Sequence, residues 1–391
     1  MTKYNFDEII DRRNTACLKY DFAVQRGRPA DVLPFWVADM DFPIAREIQE
    51  ALTKRCEHGI FGYSESDTNY AAAVCDWYAQ YFDWKPQSEW LTKTPGVVFA
   101  LAMAVKAFTE VGEAVLIQQP VYYPFTEVIE DNGRKLVNSP LLFKNGRYEI
   151  DFDDLEAKII ANNVKLLLLC SPHNPVGRVW TEAELRQVGD ICLAHGVTIV
   201  SDEIHSDFVW EGRHIVFAAL GEKYAANCVI CTAPSKTFNI AGLQISNIFI
   251  PDTDLRRTFR KQVAAAGYSQ VNTLGLIACE AAYRHGRSWL EQVKEYIKSN
   301  IDFTASYLEQ NMPQIKLIRP QGTYLVWLDC SALGLNAKER EQWLWHKAHL
   351  WLDGGGIFGA EGQDYERINV ACPRATLLQG LKQLKSAVSK L

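Results

Sequence analysis

The sequence KLLLLCSPHNPVGR (165–178) is the clearest indication of the fold, because a short apolar run ends there in a turn rich in proline and glycine. Two similar runs follow, VTIVSD (197–202) and CVICTA (228–233), and polar residues come directly after each. EAVLIQ (113–118) precedes them and SNIFIP (246–251) follows. Continuous apolar runs of this length are typical of strands buried on both faces of a parallel sheet.

Amphipathic stretches separate these runs. One helix is predicted from Gly96 through VVFALAMAVKAF, and another is TEAELRQVGDICLAHG (181–196). The second begins with Thr181 and Glu184, which have the spacing of a capping box. Strands that alternate with helices predict an α/β fold with a mostly parallel sheet between helices. Such sheets bind ligands at the carboxyl ends of their strands.

Bulk composition limits the possible functions. The chain has 391 residues, which favours roughly two to three domains. Its net charge of −6 argues against nucleic acid or an anionic membrane as partner. Its apolar runs are too short to span a bilayer, and the N-terminus has no secretory pattern. The ten cysteines are scattered in a way that favours reduced thiols and a cytoplasmic location.

One Cys-x-x-Cys pattern, Cys228 to Cys231, lies within the apolar run CVICTA. A redox pair usually opens a helix, and a zinc site needs two further ligands. We therefore interpret both cysteines as core residues and predict no metal site.

The two ends of the chain differ in character from the middle. The last hundred residues contain a long helical pattern at 287–310 and a predicted strand, GTYLVWLDC (322–330). We predict a large domain over 46–284. A smaller α+β domain would combine 1–45 with 285–391.

Two of the predicted turns offer hydrogen-bond donors. TPGVVFAL (94–101) places Gly96 at a helix start, where free backbone N–H groups suit a phosphate. SPHNPVGR (171–178) places Asn174 at a strand end. An ordinary loop and simple turn chemistry are the alternatives for these two segments.

Two further segments carry ionisable side chains. VSDEIHSD (200–207) places Asp202 at the end of an apolar strand, where a buried carboxylate needs a positive partner such as a pyridinium nitrogen. APSKTFNIAGL (233–243) places Lys236 beside Ser235, and burial would make that amine a nucleophile and base. Alone, Asp202 could be a cap and Lys236 a surface residue. All four segments belong to one sheet, which favours a common site.

The chain resembles fold-type I pyridoxal-phosphate (PLP) enzymes of the aspartate aminotransferase superfamily, and is most similar to the bacterial cystathionine β-lyase/C–S lyase branch. This resemblance implies a seven-stranded, mostly parallel sheet and covers essentially the whole chain. The motifs that carry it are FWVADMDFP (35–43), HGIFGYSE (58–65), SPHNPVGRVW (171–180), SDEIHSDFVW (201–210), SKTFNIAGL (235–243), GTYLVWLD (322–329), DGGGIFGAEG (353–362) and ACPR (371–374).

The resemblance also implies which residues hold PLP. Lys236 would carry it as a Schiff base, Asp202 would pair with its pyridine nitrogen, and Asn174 would bond its phenolic oxygen. Tyr122 would stack on the ring, although the adjacent Tyr123 is an alternative. The phosphate would be held by backbone groups and one hydroxyl, those of Gly96, Val97, Val98 and Ser235.

Substrate and partner contacts are implied in the same way. Arg374 would bind the carboxylate of an amino-acid substrate, and the segment containing Trp36 would run past that carboxylate. Tyr63 would reach into the site of a neighbouring subunit, so a homodimer is expected.

The resemblance bears on the reaction through two departures from the aspartate aminotransferase pattern. His205 stands where those enzymes carry tyrosine, as in the C–S lyase branch, although it could be a mere turn residue. Gln244 stands where an arginine would hold the phosphate, so neutral donors would take that role. We expect cleavage of L-cystathionine or a related cysteine S-conjugate to pyruvate, ammonia and a thiol. An aminotransferase is the main alternative, and a regulatory protein on an enzyme fold is a weaker one.

Overall fold

The computed structural model describes residues 3–391. The strands are β1 (Leu33–Pro34), β2 (Leu91–Thr94), β3 (Ala114–Ile117), β4 (Lys135–Asn138), β5 (Leu142–Lys144), β6 (Arg147–Glu149), β7 (Leu166–Cys170), β8 (Thr198–Asp202), β9 (Cys228–Thr232), β10 (Ser246–Phe249), β11 (Lys316–Ile318), β12 (Leu325–Asp329), β13 (Leu350–Trp351), β14 (Asp353–Gly354) and β15 (Tyr365–Asn369).

The helices are α1 (Arg46–His58), α2 (Thr68–Tyr81), α3 (Val97–Phe108), α4 (Pro124–Glu130), α5 (Phe152–Asn162), α6 (Glu182–Ala194), α7 (Glu222–Ala225), α8 (Pro234–Thr237), α9 (Thr253–Ala265), α10 (Thr273–His285), α11 (Arg287–Asn311), α12 (Ala337–Trp343) and α13 (Arg374–Val388). Helix α6 begins with the predicted capping box, in which Thr181 and Glu184 bond each other's backbone N–H.

The main sheet has seven strands in the order β2-β10-β9-β8-β7-β3-β4. Strand β10 is antiparallel to both of its neighbours, and the other pairs are parallel. The prediction of a mostly parallel sheet is confirmed. The sequence did not indicate which strand would be reversed.

The register of the sheet brings the four predicted turns to one edge. Cys170, Asp202 and Cys231 pair across β7, β8 and β9, so the segments that follow these strands leave the sheet side by side. Strand β2 is antiparallel to β10, and Thr94 pairs with Ser246. Strand β2 therefore ends at the same edge, and the N-terminus of α3 lies there.

Both faces of this sheet are buried. Alternate residues of β7 pack into different clusters: Leu167 and Leu169 face the larger one, whereas Leu166 and Leu168 face the one that includes α3 and α9. The pattern explains why the strands read as continuous apolar runs. Cys228 and Cys231 are also buried, and they lie in different clusters on opposite faces. They are core residues, as predicted.

A second sheet, in the order β11-β12-β15-β14, is built from residues 316–369, and β1 near the N-terminus pairs with β13. Both lie outside the predicted large domain. The division into 46–284 and 1–45 with 285–391 remains our proposal. None of the helices within residues 3–391 is long and apolar enough to cross a membrane.

Candidate active site

A cavity of about 190 Å³ lies at the edge where β2, β7, β8 and β9 end. Most of the predicted site residues line it. They are Gly96, Val97, Val98, Tyr122, Asn174, Asp202, His205, Ser235 and Lys236. These residues come from five separate stretches of sequence, the four predicted segments and the one that contains Tyr122, and all five meet in one cavity.

The N-terminus of α3 forms one wall of the cavity. Its first intrahelical bond joins the Ala100 N–H to the Gly96 carbonyl at 3.1 Å, and no side chain caps the helix. A Cβ at Gly96 would meet no other atom within 4 Å. The helix dipole and open N–H groups make this wall suited to an anion. Gln244 is exposed and does not line the cavity.

Asp202 lies at the end of β8 and is only 5% exposed. Burial, the largest cause, raises its pKa to about 7, although Lys236 and a hydrogen bond from the Ile204 N–H act in the opposite direction. That bond to the carboxylate Oδ1 is 3.1 Å long. Ionised Asp202 therefore favours a cation beside it.

Lys236 lies in the short helix α8, and its side chain reaches the cavity surface. Burial lowers the pKa of its amine to about 8, and Asp39 opposes that shift. The Lys236 Nζ donates a hydrogen bond of 2.8 Å to the Ala38 carbonyl. An amine with this pKa is neutral in about a tenth of the molecules at pH 7, far more than an ordinary lysine, so it can act as a nucleophile or base.

His205 is buried in the turn after β8. Burial lowers its pKa to about 3, and Lys236 and Arg367 add to that shift. The ring is therefore neutral, and its Nδ1 has no partner among residues 3–391. An unpaired buried nitrogen at a cavity wall favours a ligand atom that would complete its hydrogen bonding.

The structure separates the two adjacent tyrosines. Tyr122 lines the Lys236 cavity. Burial mainly raises the pKa of its hydroxyl, and the nearby charge of Asp202 adds to that rise. Tyr123 lines a neighbouring cavity instead, with its ring centre 5.2 Å from that of Tyr122. Tyr122 is thus the one placed to contact a ring bound beside Asp202.

Arg367 was not among the predicted site residues. It lies in β15, is 3% exposed, and its Nη1 donates 2.9 Å to Oδ1 of Asn174. Its Nη2 bonds the Trp36 carbonyl at 2.9 Å and forms an ion pair with Asp353. Arg367 does not line the Lys236 cavity itself but contacts it through Asn174, and its Nε is the one guanidinium nitrogen left without a partner among the described residues.

The structure contradicts the prediction for Arg374. Its Nε bonds Asn300 at 2.6 Å and its Nη2 bonds Ser299 at 2.8 Å, while the guanidinium lies over the Phe303 ring. All three partners belong to α11, and Arg374 does not line the Lys236 cavity. Arg374 instead fastens the start of α13 to α11.

A signal for Arg367 was present in the sequence. The run RINVAC (367–372) reads as a buried strand that contains one arginine. A fully buried arginine is rare unless it is paired, so an arginine within a buried strand indicates either an ion pair or a functional group. Here the ion pair is present, because Asp353 pairs with Arg367 directly across β14 and β15.

Trp36 and Tyr63 lie outside the Lys236 cavity. Trp36 stacks on Trp351, with ring centres 4.3 Å apart, and contributes its carbonyl to Arg367. Tyr63 is 93% exposed, in a stretch that also exposes Ile60 and Phe61. Tyr63 therefore does not contribute to the site of its own chain.

The cavity fits the PLP that the resemblance implies. It combines an anion-binding helix start, a buried carboxylate suited to a pyridinium, and a lysine amine of lowered pKa. Because Asn174 uses its Oδ1 for Arg367, its Nδ2 is left to donate to a cofactor oxygen. Each feature matches a different part of the cofactor.

Comparisons with known proteins agree with this geometry. The family model for aminotransferase class I and II matches residues 31–384. The chain is 45% identical to cystathionine beta-lyase PatB of Bacillus subtilis (strain 168), over 98% of this chain and 100% of that relative. It is 39% identical to cystalysin of Treponema denticola, which contains PLP, with a TM-score of 0.96 and 100% of both chains covered.

A PLP-bound C–S lyase of Staphylococcus hominis is 33% identical, with a TM-score of 0.92, over 99% of this chain and 98% of that one. The resemblance stated from the motifs is therefore confirmed, and so is the fold it implied. The chain belongs to the aminotransferase class I and II family.

Proposed function

We propose that this protein is a PLP-dependent C–S β-lyase of the cystathionine β-lyase type. It cleaves L-cystathionine or a related cysteine S-conjugate to pyruvate, ammonia and a thiol. The observation that carries this proposal is the meeting of Lys236, Asp202 and Asn174 around one cavity, with Arg367 bonded to Asn174 behind it. The relatives named as cystathionine beta-lyase and C–S lyase support the reaction.

Parts of the chain that differ in charge would hold the cofactor. Lys236 would bind it covalently, and Asp202 would pair with its pyridine nitrogen. The start of α3, at Gly96, Val97 and Val98, would receive the phosphate, with Ser235 as an additional donor. Tyr122 would pack on the ring. When bound, PLP supplies an electron sink for the charge that develops at the substrate α-carbon.

Lys236 has a second role as general base. Its amine would take the α-proton of the bound substrate. Burial lowers the pKa of that amine, which raises the neutral fraction able to accept a proton. Arg367 would bind the substrate carboxylate, since its Nε has no partner in the described part of the chain and its planar guanidinium suits that group. This assignment replaces the one expected for Arg374.

His205 favours the lyase over the aminotransferase. It stands where aspartate aminotransferases carry tyrosine, as in the C–S lyase branch. Its neutral ring, at the cavity wall beside Asp202, is an uncharged hydrogen-bonding group. The aminotransferase remains the second candidate, because the matching family model carries that name.

The exposed stretch around Tyr63 supports a homodimer in which this tyrosine reaches the neighbouring site. Exposed apolar residues close together favour a protein contact. The cysteines of residues 3–391 are all free, which supports a cytoplasmic location.

Product analysis tests the proposed reaction. Purified protein with PLP and L-cystathionine should release pyruvate, ammonia and homocysteine in equal amounts without a keto acid. Amino transfer that appears only when a keto acid is added, with no pyruvate from any cysteine thioether, would move the assignment to an aminotransferase.

A further inference from the structure

We propose that Arg12 is a positioning residue for Lys236. By binding the carboxylates of Asp39 and Asp41, it prevents Asp39 from forming an ion pair with the Lys236 amine and so keeps that amine free to react. The proposal rests on the proposed role of Lys236 as base. It assigns a part in catalysis to the segment 10–20, which contains none of the predicted site residues.

Arg12 and Asp39 border a second cavity that Lys236 also lines. This cavity, of about 580 Å³, is formed largely by the segments 10–18 and 37–43. Asn239 is part of its wall and fastens the second segment, since its Oδ1 accepts the Met40 N–H at 2.9 Å and its Nδ2 donates to the Met40 carbonyl at 3.0 Å. The segment that carries Asp39 is therefore fixed beside the catalytic lysine.

Arg12 joins the two carboxylates of this segment. Its Nη2 donates to Oδ2 of Asp39 at 2.6 Å, and its Nη1 donates to Oδ1 of Asp41 at 2.7 Å and to the Met40 carbonyl at 3.2 Å. Lys19, whose side chain is fully buried, donates to Asp41 at 2.8 Å but lies 3.6 Å from Asp39. Within residues 3–391, Arg12 is thus the one cation that is hydrogen-bonded to Asp39.

Asp39 is ionised, yet it forms no ion pair with Lys236 among the described residues. Burial acts to raise the pKa of Asp39, but Arg12 and Lys19 outweigh it and hold that pKa below its ordinary value. The Lys236 amine instead donates 2.8 Å to the carbonyl of Ala38, the preceding residue. Without Arg12, the Asp39 carboxylate would be available to the amine, and an ion pair would keep that amine protonated.

Three charged groups act on the Lys236 amine. Burial mainly lowers its pKa, and Arg367 adds to that shift, whereas Asp39 and more weakly Asp202 oppose it. Asp41 and Cys17 also border the second cavity. Burial keeps the other ionisable side chains around the amine neutral at pH 7; they are Tyr122, Cys170, His205 and Tyr324. Among the charges, Asp39 has the largest effect, so its pairing should decide how readily Lys236 is protonated.

Competitive labelling of the full-length, PLP-free protein with acetic anhydride measures the pKa of individual lysine amines by mass spectrometry. Arg12→Gln frees Asp39 for Lys236 and should raise the pKa of Lys236 by about 1, whereas Asp39→Asn removes the anion and should lower it by about 1. Arg12→Lys, which keeps an ion pair with Asp39, should restore a value near that of wild type. Arg13→Gln, at the exposed neighbouring arginine, is the matched control and should change nothing.

The opposite signs of the two shifts are the signature of the proposal. Shifts of the same sign for Arg12→Gln and Asp39→Asn, or no shift for either, would overturn it. Should Arg12→Gln fail to fold, Asp39→Asn alone decides, because it must lower the pKa of Lys236.

The holoenzyme gives a second readout. Loss of the substrate α-deuterium should be about tenfold slower for Arg12→Gln than for wild type at pH 7 and should recover at pH 9, since a pKa difference of about 1 changes the neutral fraction about tenfold. An equal loss at both pH values would show a structural role and overturn the proposal. Failure of the wild type to release pyruvate from any thioether would instead overturn the proposed lyase function and leave the labelling result intact.

Discussion

Replacing Asp202 by asparagine should stabilise the protein when PLP has been removed. The buried carboxyl has a pKa of about 7 against an ordinary 3.8. The folded protein therefore holds this proton more tightly than the unfolded chain, and ionisation at higher pH costs stability. The asparagine side chain of Asp202→Asn would carry no such cost, and its amide oxygen could still accept the hydrogen bond from the Ile204 N–H.

The size of the effect follows from the two pKa values. Each unit corresponds to about 1.4 kcal/mol, so the cost is about 2 kcal/mol at pH 5 and about 4 kcal/mol at pH 8. This cost in folding stability is absent at pH values below the pKa of Asp202 in the unfolded chain. It grows as pH rises between the unfolded-state and folded-state pKa values, and it is complete above the folded-state pKa. Both figures are upper estimates of the stabilisation.

Thermal unfolding of the PLP-free protein measures this prediction. Asp202→Asn should unfold at a higher temperature than wild type, by a larger margin at pH 8 than at pH 5. PLP binding should raise the unfolding temperature of wild type more than that of the variant, because only the carboxylate pairs with a pyridinium. Asp76→Asn, at an exposed position of α2, should show neither effect. A difference in unfolding temperature between Asp202→Asn and wild type that does not change with pH would refute the reasoning.

Three other predictions concern the remaining site residues. Arg367→Gln should raise KM for the amino-acid substrate by about 100-fold, since it removes a charge-assisted pair. Arg374→Gln should leave KM near wild type but lower the unfolding temperature. A large rise in KM for Arg374→Gln with none for Arg367→Gln would restore Arg374 as the carboxylate ligand. Single-turnover loss of the substrate α-deuterium should become faster as pH rises, because the Lys236 base must be neutral and burial lowers the pKa of its amine from the ordinary lysine range; a rate that falls as pH rises would contradict that role. Tyr122→Ala should weaken PLP binding in an equilibrium titration more than Tyr123→Ala does, and equal losses would argue against the placement of Tyr122 at the ring.

Much of the Lys236 cavity could be predicted from local sequence. Strands β7, β8 and β9 are continuous apolar runs, and the polar residues directly after each one had to lie at the same edge of a parallel sheet. Asn174, Asp202 and Lys236 were found for this reason. The reversal of β10 was not predictable, because an apolar run carries no indication of its direction.

The contacts of Arg367 could not be predicted from the local sequence. Its environment depends on the pairing of β14 with β15 and on Asn174, which is 193 positions away in sequence. Arg374 lies seven residues later in a motif that resembles the family, and nothing in its neighbours shows that α11 would engage it.

The covalent attachment of the cofactor tests the central claim most directly. Protein loaded with PLP would be reduced with borohydride, digested, and its modified peptide sequenced by mass spectrometry. One phosphopyridoxyl group on Lys236, with loss of pyruvate release from L-cystathionine, is the predicted result. Modification at another lysine, or full activity after reduction, would contradict the placement of the catalytic centre in the Lys236 cavity.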